Sequence, residues 1–250
     1  MLNMPRYWYP LLFLAAFTAG FVDSIAGGGG LITVPLLLSA GLPPLDALGT
    51  NKLQASFGSG SATWHFARAG LIDGREVRLG VGLSFLSAML GALVVEQISP
   101  DFLRRLIPAL LIGMAIYTLF QPGFGLHDQK PRLTPPLFAA LFGVLIGFYD
   151  GFFGPGTGSF WAMACVVVMG FNLTKATAYT KAMNLASNAG SLLVFLAGGK
   201  MHFEIGLLMG VGQWTGARLG SRLVIRKGAR FIRPIFVTVV LAITVKLLLS

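Results

Sequence analysis

Charge is what this chain has least of: 11% of its 250 residues are charged, with nine acidic side chains against nineteen basic ones. A soluble domain carries about 25% charged residues, so the composition excludes an ordinary solvated globule. With 55% hydrophobic residues, lipid is the expected solvent. The chain has one cysteine, Cys165, which excludes an intrachain disulfide and any thiol metal or redox motif. It reads as a small packing residue. His65, His127 and His202 are too scattered for metal-ligand spacing and read as loop or interface residues. No GK[ST] follows either glycine-rich run, GPGTG lacks the GxGxxG frame, and no GxGD accompanies Tyr149-Asp150. Nucleotide loops and intramembrane aspartyl proteolysis are thereby excluded. Nothing is catalytic, so neither an enzyme nor a cofactor is expected. The formal net charge of +10 falls in short loops between apolar runs rather than in an aromatic-interleaved patch, which makes it a topology signal and not a nucleic-acid surface. Residues 1–10 lack a strongly basic start, and no A-x-A-like site follows them. The first apolar segment is expected to be retained.

What is present is a duplication. GFVDSIAGGGG from Gly20 is answered by GFYDGFFGPGTG from Gly147, aligning Asp23 with Asp150. GLPPLDALGTNK, ending at Lys52, is answered by GFNLTKATAYTK, ending at Lys181. SAMLGALV around Gly91 parallels TGARLGSRLV around Gly220, and LRRLIPALLI parallels RFIRPIFVTV. The expected organisation is a first repeat over 1–122, a linker over 123–136 and a second repeat over 137–250, forming one transmembrane domain. Apolar runs and their breakers predict helical segments at 9–26, 29–40, 45–67, 76–96 and 103–120. In the second repeat they predict 137–153, 157–170, 174–197, 203–223 and 232–249. The expected fold is an all-α polytopic membrane protein. A full span takes about 20 residues, so segments beside each glycine break are short, and hydropathy windows should count about eight spans rather than ten.

An odd number of segments per repeat predicts that the halves sit inverted in the membrane. Arg68, Arg75 and Arg78 make one loop of the first half basic, whereas the equivalent GGKMHFE sets Lys200 against Glu204, and the following loop carries Arg222, Arg226, Lys227, Arg230 and Arg233. The positive-inside rule then places the linker, with Lys130 and Arg132, in the cytoplasm and both termini outside. Arg104 and Arg105 fall on the outer side, partly offset by Asp101 and Glu96.

Non-helical chain at membrane depth survives only when buried in protein or facing a watery cavity. Each break frees the first N–H groups of the next half-helix, a positive dipole end, and glycine lets a ligand approach closely. The expected cradle comprises Gly27, Gly28, Gly29 and Gly30 with Gly154, Gly156, Thr157, Gly158 and Ser159. Its natural occupant is a small anion. Alternatively, the glycines only permit tight helix packing, as Gly212, Gly216 and Gly220 do at GxxxG spacing. Lys52 has Asn51 and Gln54 beside it, and Lys181 has Thr180, Asn184 and Asn188, with Lys181, Asn184 and Asn188 on one helical face. Such faces suit an oxyanion, or else the lysines snorkel to the interface while the amides glue helices together. Asp23 and Asp150 could cap a half-helix, pair with a lysine, or carry a coupling proton. Proton coupling would make anion flux respond to a pH gradient in proteoliposomes, and indifference to that gradient would exclude it.

GFVDSIAGGGGLITVP, ALGTNKLQA, GFYDGFFGPGTGSF, KATAYTKAMNLASNAG and GGKMHFEIGLLMGVGQWTGARLGSRL together resemble the sulfite exporter TauE/SafE family, the TSUP permeases. The similarity runs in order across both repeats. It implies a bacterial inner-membrane permease for small sulfur-containing anions such as sulfite or organosulfonates, a secondary transporter. The interruption of the second glycine run by Pro155 and Thr157 departs from the first. The resulting expectation is alternating access to a midplane anion site, and the competing class is a passive anion channel. The expected partners are the small anion and the lipid bilayer, with a homo-oligomer left open.

Overall fold

Proline and glycine set the helix boundaries. In a computed structural model, described for residues 4–119 and 127–228, nine helices follow one another among the described residues: α1 Trp8–Ala26, α2 Gly30–Ser39, α3 Pro44–Arg68, α4 Gly74–Glu96, α5 Pro100–Leu119, α6 Pro135–Phe152, α7 Thr157–Val167, α8 Leu173–Ala197 and α9 Phe203–Lys227. No strand occurs among them. The predicted segment 232–249, together with Arg230, Arg233 and part of the linker, lies outside the described residues. Pro44 opens α3 and Pro135 opens α6, positions where the missing N–H costs nothing. Asp73 caps α4 through the Arg75 N–H at 2.8 Å, and Asn172 caps α8 through the Lys175 N–H at 3.0 Å, each supplying an acceptor for an otherwise free first-turn donor.

The outside of the bundle is greasy and its inside is polar. Leu14, Leu86, Leu90, Leu145, Leu193 and Val211 project outward, whereas Thr50, Asn51, Lys52 and Gln54 of α3 and Thr180, Lys181, Asn184 and Ser187 of α8 are buried. Water would reverse that arrangement; a bilayer favours it. Among the described residues, three helices are long and apolar enough to cross a membrane: α1, α4 and α6. By hydropathy these are three of the about eight spans expected, with the segment 232–249 outside the described residues. Of the others, α3 and α8, 25 residues each, turn their polar residues into the protein, α9 ends in Arg222, Arg226 and Lys227, and α2 and α7 are short. Length suffices in the 25-residue helices, which rise about 1.5 Å per residue; their hydropathy does not.

Packing follows small residues. Along α9, β-carbons built on Gly212, Gly216 and Gly220 would meet the carbonyls of Phe13, Phe17 and Phe21, so α9 runs parallel to α1 with backbones in contact. On the other side, Gly147 and Gly151 of α6 face the backbones of Ser84 and Ala88 of α4, and Gly91 of α4 faces Phe148. This is the small-residue packing expected of the GxxxG run. A bulky Gly216→Leu side chain should therefore cost about 1–3 kcal/mol by overpacking, read as a lower melting temperature of the purified chain. Cys165 is buried in an apolar cluster with Trp161 and Met169, as its sequence context suggested.

Candidate functional site

The connection between α1 and α2 and the connection between α6 and α7 meet. After α1, the Gly27 N–H bonds the Asp23 carbonyl at 2.9 Å, and Gly27 and Gly28 take φ of 80° and 91° before α2 begins. After α6, Phe153 and Gly154 both bond the Tyr149 carbonyl, and Gly154 and Gly156 take φ of 95° and 86° before α7 begins. A β-carbon on Gly27 would lie 2.6 Å from the Gly158 carbonyl carbon, and one on Gly30 would lie 3.1 Å from Pro155 Cα. Only glycine permits this backbone-to-backbone approach. The Tyr149 hydroxyl, donating to the Pro155 carbonyl at 2.8 Å, braces the second connection; the first is held instead by the Gly29 N–H donating to the Asp23 carboxylate.

Two ion pairs tie α3 to α6 and α8 to α1. Lys52 Nζ lies 2.6 Å from Asp150 Oδ1, and Lys181 Nζ lies 2.8 Å from Asp23 Oδ2. Each lysine thus takes the carboxylate of the opposite half. Lys52 is 1% and Lys181 0% exposed, so neither snorkels to the interface, and burial of such a charge demands a partner. The surroundings differ. Asp150 also accepts from the Ser187 hydroxyl, and its carbonyl accepts from Lys52, which reaches Asn188 Oδ1 at 3.4 Å. Asp23 Oδ1 instead accepts the Gly29 N–H at 3.2 Å, so Asp23 both pairs and caps α2, while no equivalent cap by Asp150 occurs among the described bonds.

Between the two breaks lies a small polar cavity of about 30 Å³. Of the residues read from sequence, Gly28, Gly29, Gly30, Asn51, Gly154, Gly156, Thr157, Gly158, Asn184 and Asn188 line it, as do Asp23 and Asp150. Gly27 backs onto Gly158 instead of lining the space. Lys52 and Lys181 do not line it, although their Nζ atoms come within 2.7 and 3.5 Å of where β-carbons on Gly154 and Gly158 would stand. Gln54 donates to Asn51 Oδ1 at 2.7 Å, Ser159 reaches the Ala26 carbonyl at 3.5 Å, and Thr180 bonds back to Ala176 at 2.8 Å. Sequence reasoning missed Gln213 of α9, which lines the cavity, and Thr33, whose hydroxyl donates to Asn51 Oδ1 at 2.6 Å. The signal for Gln213 was a lone amide between Gly212 and Gly216, on the face those glycines pack. Its position in the other half is held by Ser84, so the repeat comparison did not raise it.

The arrangement can hold a small polar solute: the Gly30 and Gly158 backbones at the starts of α2 and α7 and several buried amides surround one space, while the Leu31, Ile32, Thr157 and Ser159 N–H groups bond the Gly28, Gly29, Gly154 and Gly156 carbonyls. Among the described residues, no cluster of three metal-ligating side chains occurs. Comparison with known proteins gives a match to the family model described as sulfite exporter TauE/SafE over residues 12–247. The chain is 50% identical over 248 residues to "Probable membrane transporter protein ORF9" of Sinorhizobium sp, covering 99% of this chain and 95% of that protein. It is 48% identical over 238 residues to "Probable membrane transporter protein YfcA" of Escherichia coli K12, covering 95% and 88% respectively. A Haemophilus influenzae protein, "Probable membrane transporter protein", is 44% identical, with 95% and 93% covered. No solved structure matches.

Proposed function

This chain belongs to the sulfite exporter TauE/SafE family of membrane transporters, and from that premise we propose that it is a secondary transporter moving small sulfur oxyanions or organosulfonates across the bacterial inner membrane by alternating access. The observation that carries the proposal is the convergence of the α2 and α7 N-termini on one polar cavity, beneath lysine–aspartate pairs exchanged between the halves. Helix N-termini favour anions, and broken helices at a repeat interface are where transporter substrates bind.

Inverted halves are supported by equivalent contacts. Gly20 of α1 abuts Gln213 of α9, and its counterpart Gly147 of α6 abuts Ser84 of α4. Gly49 lies against Phe195 and Lys200, so α3 and α8 run antiparallel and their N-termini mark opposite ends of the bundle. At one end His202 approaches Asp46 at 3.5 Å and donates its N–H to Thr50 at 2.9 Å. At the other, Lys175 approaches Glu76 at 3.4 Å, while the Asp73 N–H donates to the Tyr179 hydroxyl at 3.3 Å. Thr50 aligns with Tyr179 and His202 with Asp73, so each end is closed by the same positions of opposite halves. Two equivalent closures at opposite ends are what alternating access uses. Arg75, Arg78, Arg132, Lys175, Arg222, Arg226 and Lys227 share the α8 N-terminal end, which supports a cytoplasmic placement for that end and an external one for the start of α1.

Protein reconstituted into liposomes should show saturable uptake of radiolabelled sulfite, accelerated by unlabelled sulfite on the opposite side. Non-saturating flux without such acceleration would mean a channel; no flux of sulfite, sulfonates or carboxylates would remove the transport reading.

A further inference from the structure

The lysines cannot serve as the counter-charge for a bound anion in this arrangement. Lys52 and Lys181 are each spent on a carboxylate, and neither lines the cavity, whereas Asp23 and Asp150 do. The cage therefore holds two charges of each sign, with the carboxylates and not the ammonium groups in its lining. A dianion placed there faces two carboxylates. What remains to attract it is the pair of half-helix N-termini, each equivalent to about +0.5 charge, which together match a single negative charge.

A second, independent observation points to a ligand. Gln213 is 2% and Asn184 5% exposed, both line the cavity, and Gln213 Oε1 and Asn184 Oδ1 have no hydrogen-bond partner. Buried polar atoms are normally satisfied, and burying one unsatisfied destabilises the fold. Gln213 reaches its place because Gly58 of α3 has no side chain: a β-carbon there would collide with the Gln213 chain. A half-turn of either terminal amide exchanges oxygen for NH2, which turns each into a neutral donor on a residue of the cavity lining.

We propose that this site selects monovalent over divalent oxyanions, its two helix N-termini balancing one negative charge and the Gln213 and Asn184 amides supplying side-chain donors. The proposal rests on the reading of this cavity as the anion site. Methanesulfonate and sulfate separate the cases, since both are tetrahedral sulfur oxyanions of similar size and carry one and two negative charges respectively at neutral pH. Titrating the full chain in nanodiscs, methanesulfonate should bind about tenfold or more tighter than sulfate, and Gln213→Leu should weaken methanesulfonate by about tenfold, the worth of a hydrogen bond to a charged group. Without ligand, Gln213→Leu should melt no lower than the parent, because it removes an unsatisfied buried amide. Gln213→Glu should abolish methanesulfonate binding through a third carboxylate. Sulfate binding as tight as methanesulfonate overturns the charge selection, and unchanged methanesulfonate affinity in Gln213→Leu overturns the assigned donor. If neither anion binds while sulfite counterflow persists, the substrate lies elsewhere and the inference falls alone. If binding and counterflow are both absent, the transport reading falls with it.

Discussion

Lys52→Met is expected to lose about 3–5 kcal/mol of stability and all sulfite counterflow, whereas Lys52→Met with Asp150→Leu recovers most of the stability and none of the transport. The first substitution strands Asp150, 3% exposed and held between Lys52 and Ser187, with its main counter-charge gone. Removing one partner of a buried pair leaves an uncompensated charge, while replacing both with apolar groups of similar volume is often neutral or better. Stability therefore follows pairing. Transport should not, because the pair also fixes α3 against the second break: Lys52 holds the Asp150 carbonyl as well as its carboxylate. The equivalent pair, Lys181 and Asp23, should behave alike but with a smaller stability loss, since the Asp23 side chain keeps 17% exposure and water screens it more. Denaturant melts of the purified single and double variants, run beside counterflow assays, check both parts. A single variant as stable as the parent would contradict the account.

Gly27→Ala should cost about 2–5 kcal/mol, from backbone strain together with overpacking, and should silence transport. Gly27 sits at φ 80°, ψ 173°, a region essentially confined to glycine, and its β-carbon would lie 2.6 Å from the Gly158 carbonyl carbon. Neither backbone can yield without parting the two breaks. Gly82→Ala supplies the contrast: Gly82 lies within α4 with nothing within 4 Å of an added β-carbon. There alanine should gain up to about 1 kcal/mol of helix propensity. Thermal melts of the two variants should move in opposite directions.

Much of the architecture was legible because membrane helices announce themselves through apolar runs and their breakers. The segment expected at 45–67 is Pro44–Arg68 and that at 203–223 is Phe203–Lys227. The longer end of α9 reflects basic residues at its C-terminus, which read as loop but suit the negative end of a helix dipole. Asp23, Asp150, Lys52 and Lys181 were found through repetition. Their exchange between halves was not, because pairing within a half and pairing across halves leave the same spacing in sequence; only the packing of α3 on α8 decides it. Hydropathy passes over α3 and α8 because it cannot distinguish a polar face turned into the protein from one that forbids burial in lipid. Gln213 escaped because its counterpart Ser84 is a different residue type, and a comparison of repeats finds only what both copies keep.

The central claim is that one anion binds where the N-termini of α2 and α7 meet. Crystals of the full chain soaked in selenite, the heavier isostere of sulfite, test it through the anomalous scattering of selenium. The account predicts a peak between Gly30 and Gly158, within hydrogen-bonding reach of the Gln213 and Asn184 amides. A peak only elsewhere, such as beside the arginines at the end of α9, or none at a selenite concentration that saturates competition with sulfite flux, would contradict it.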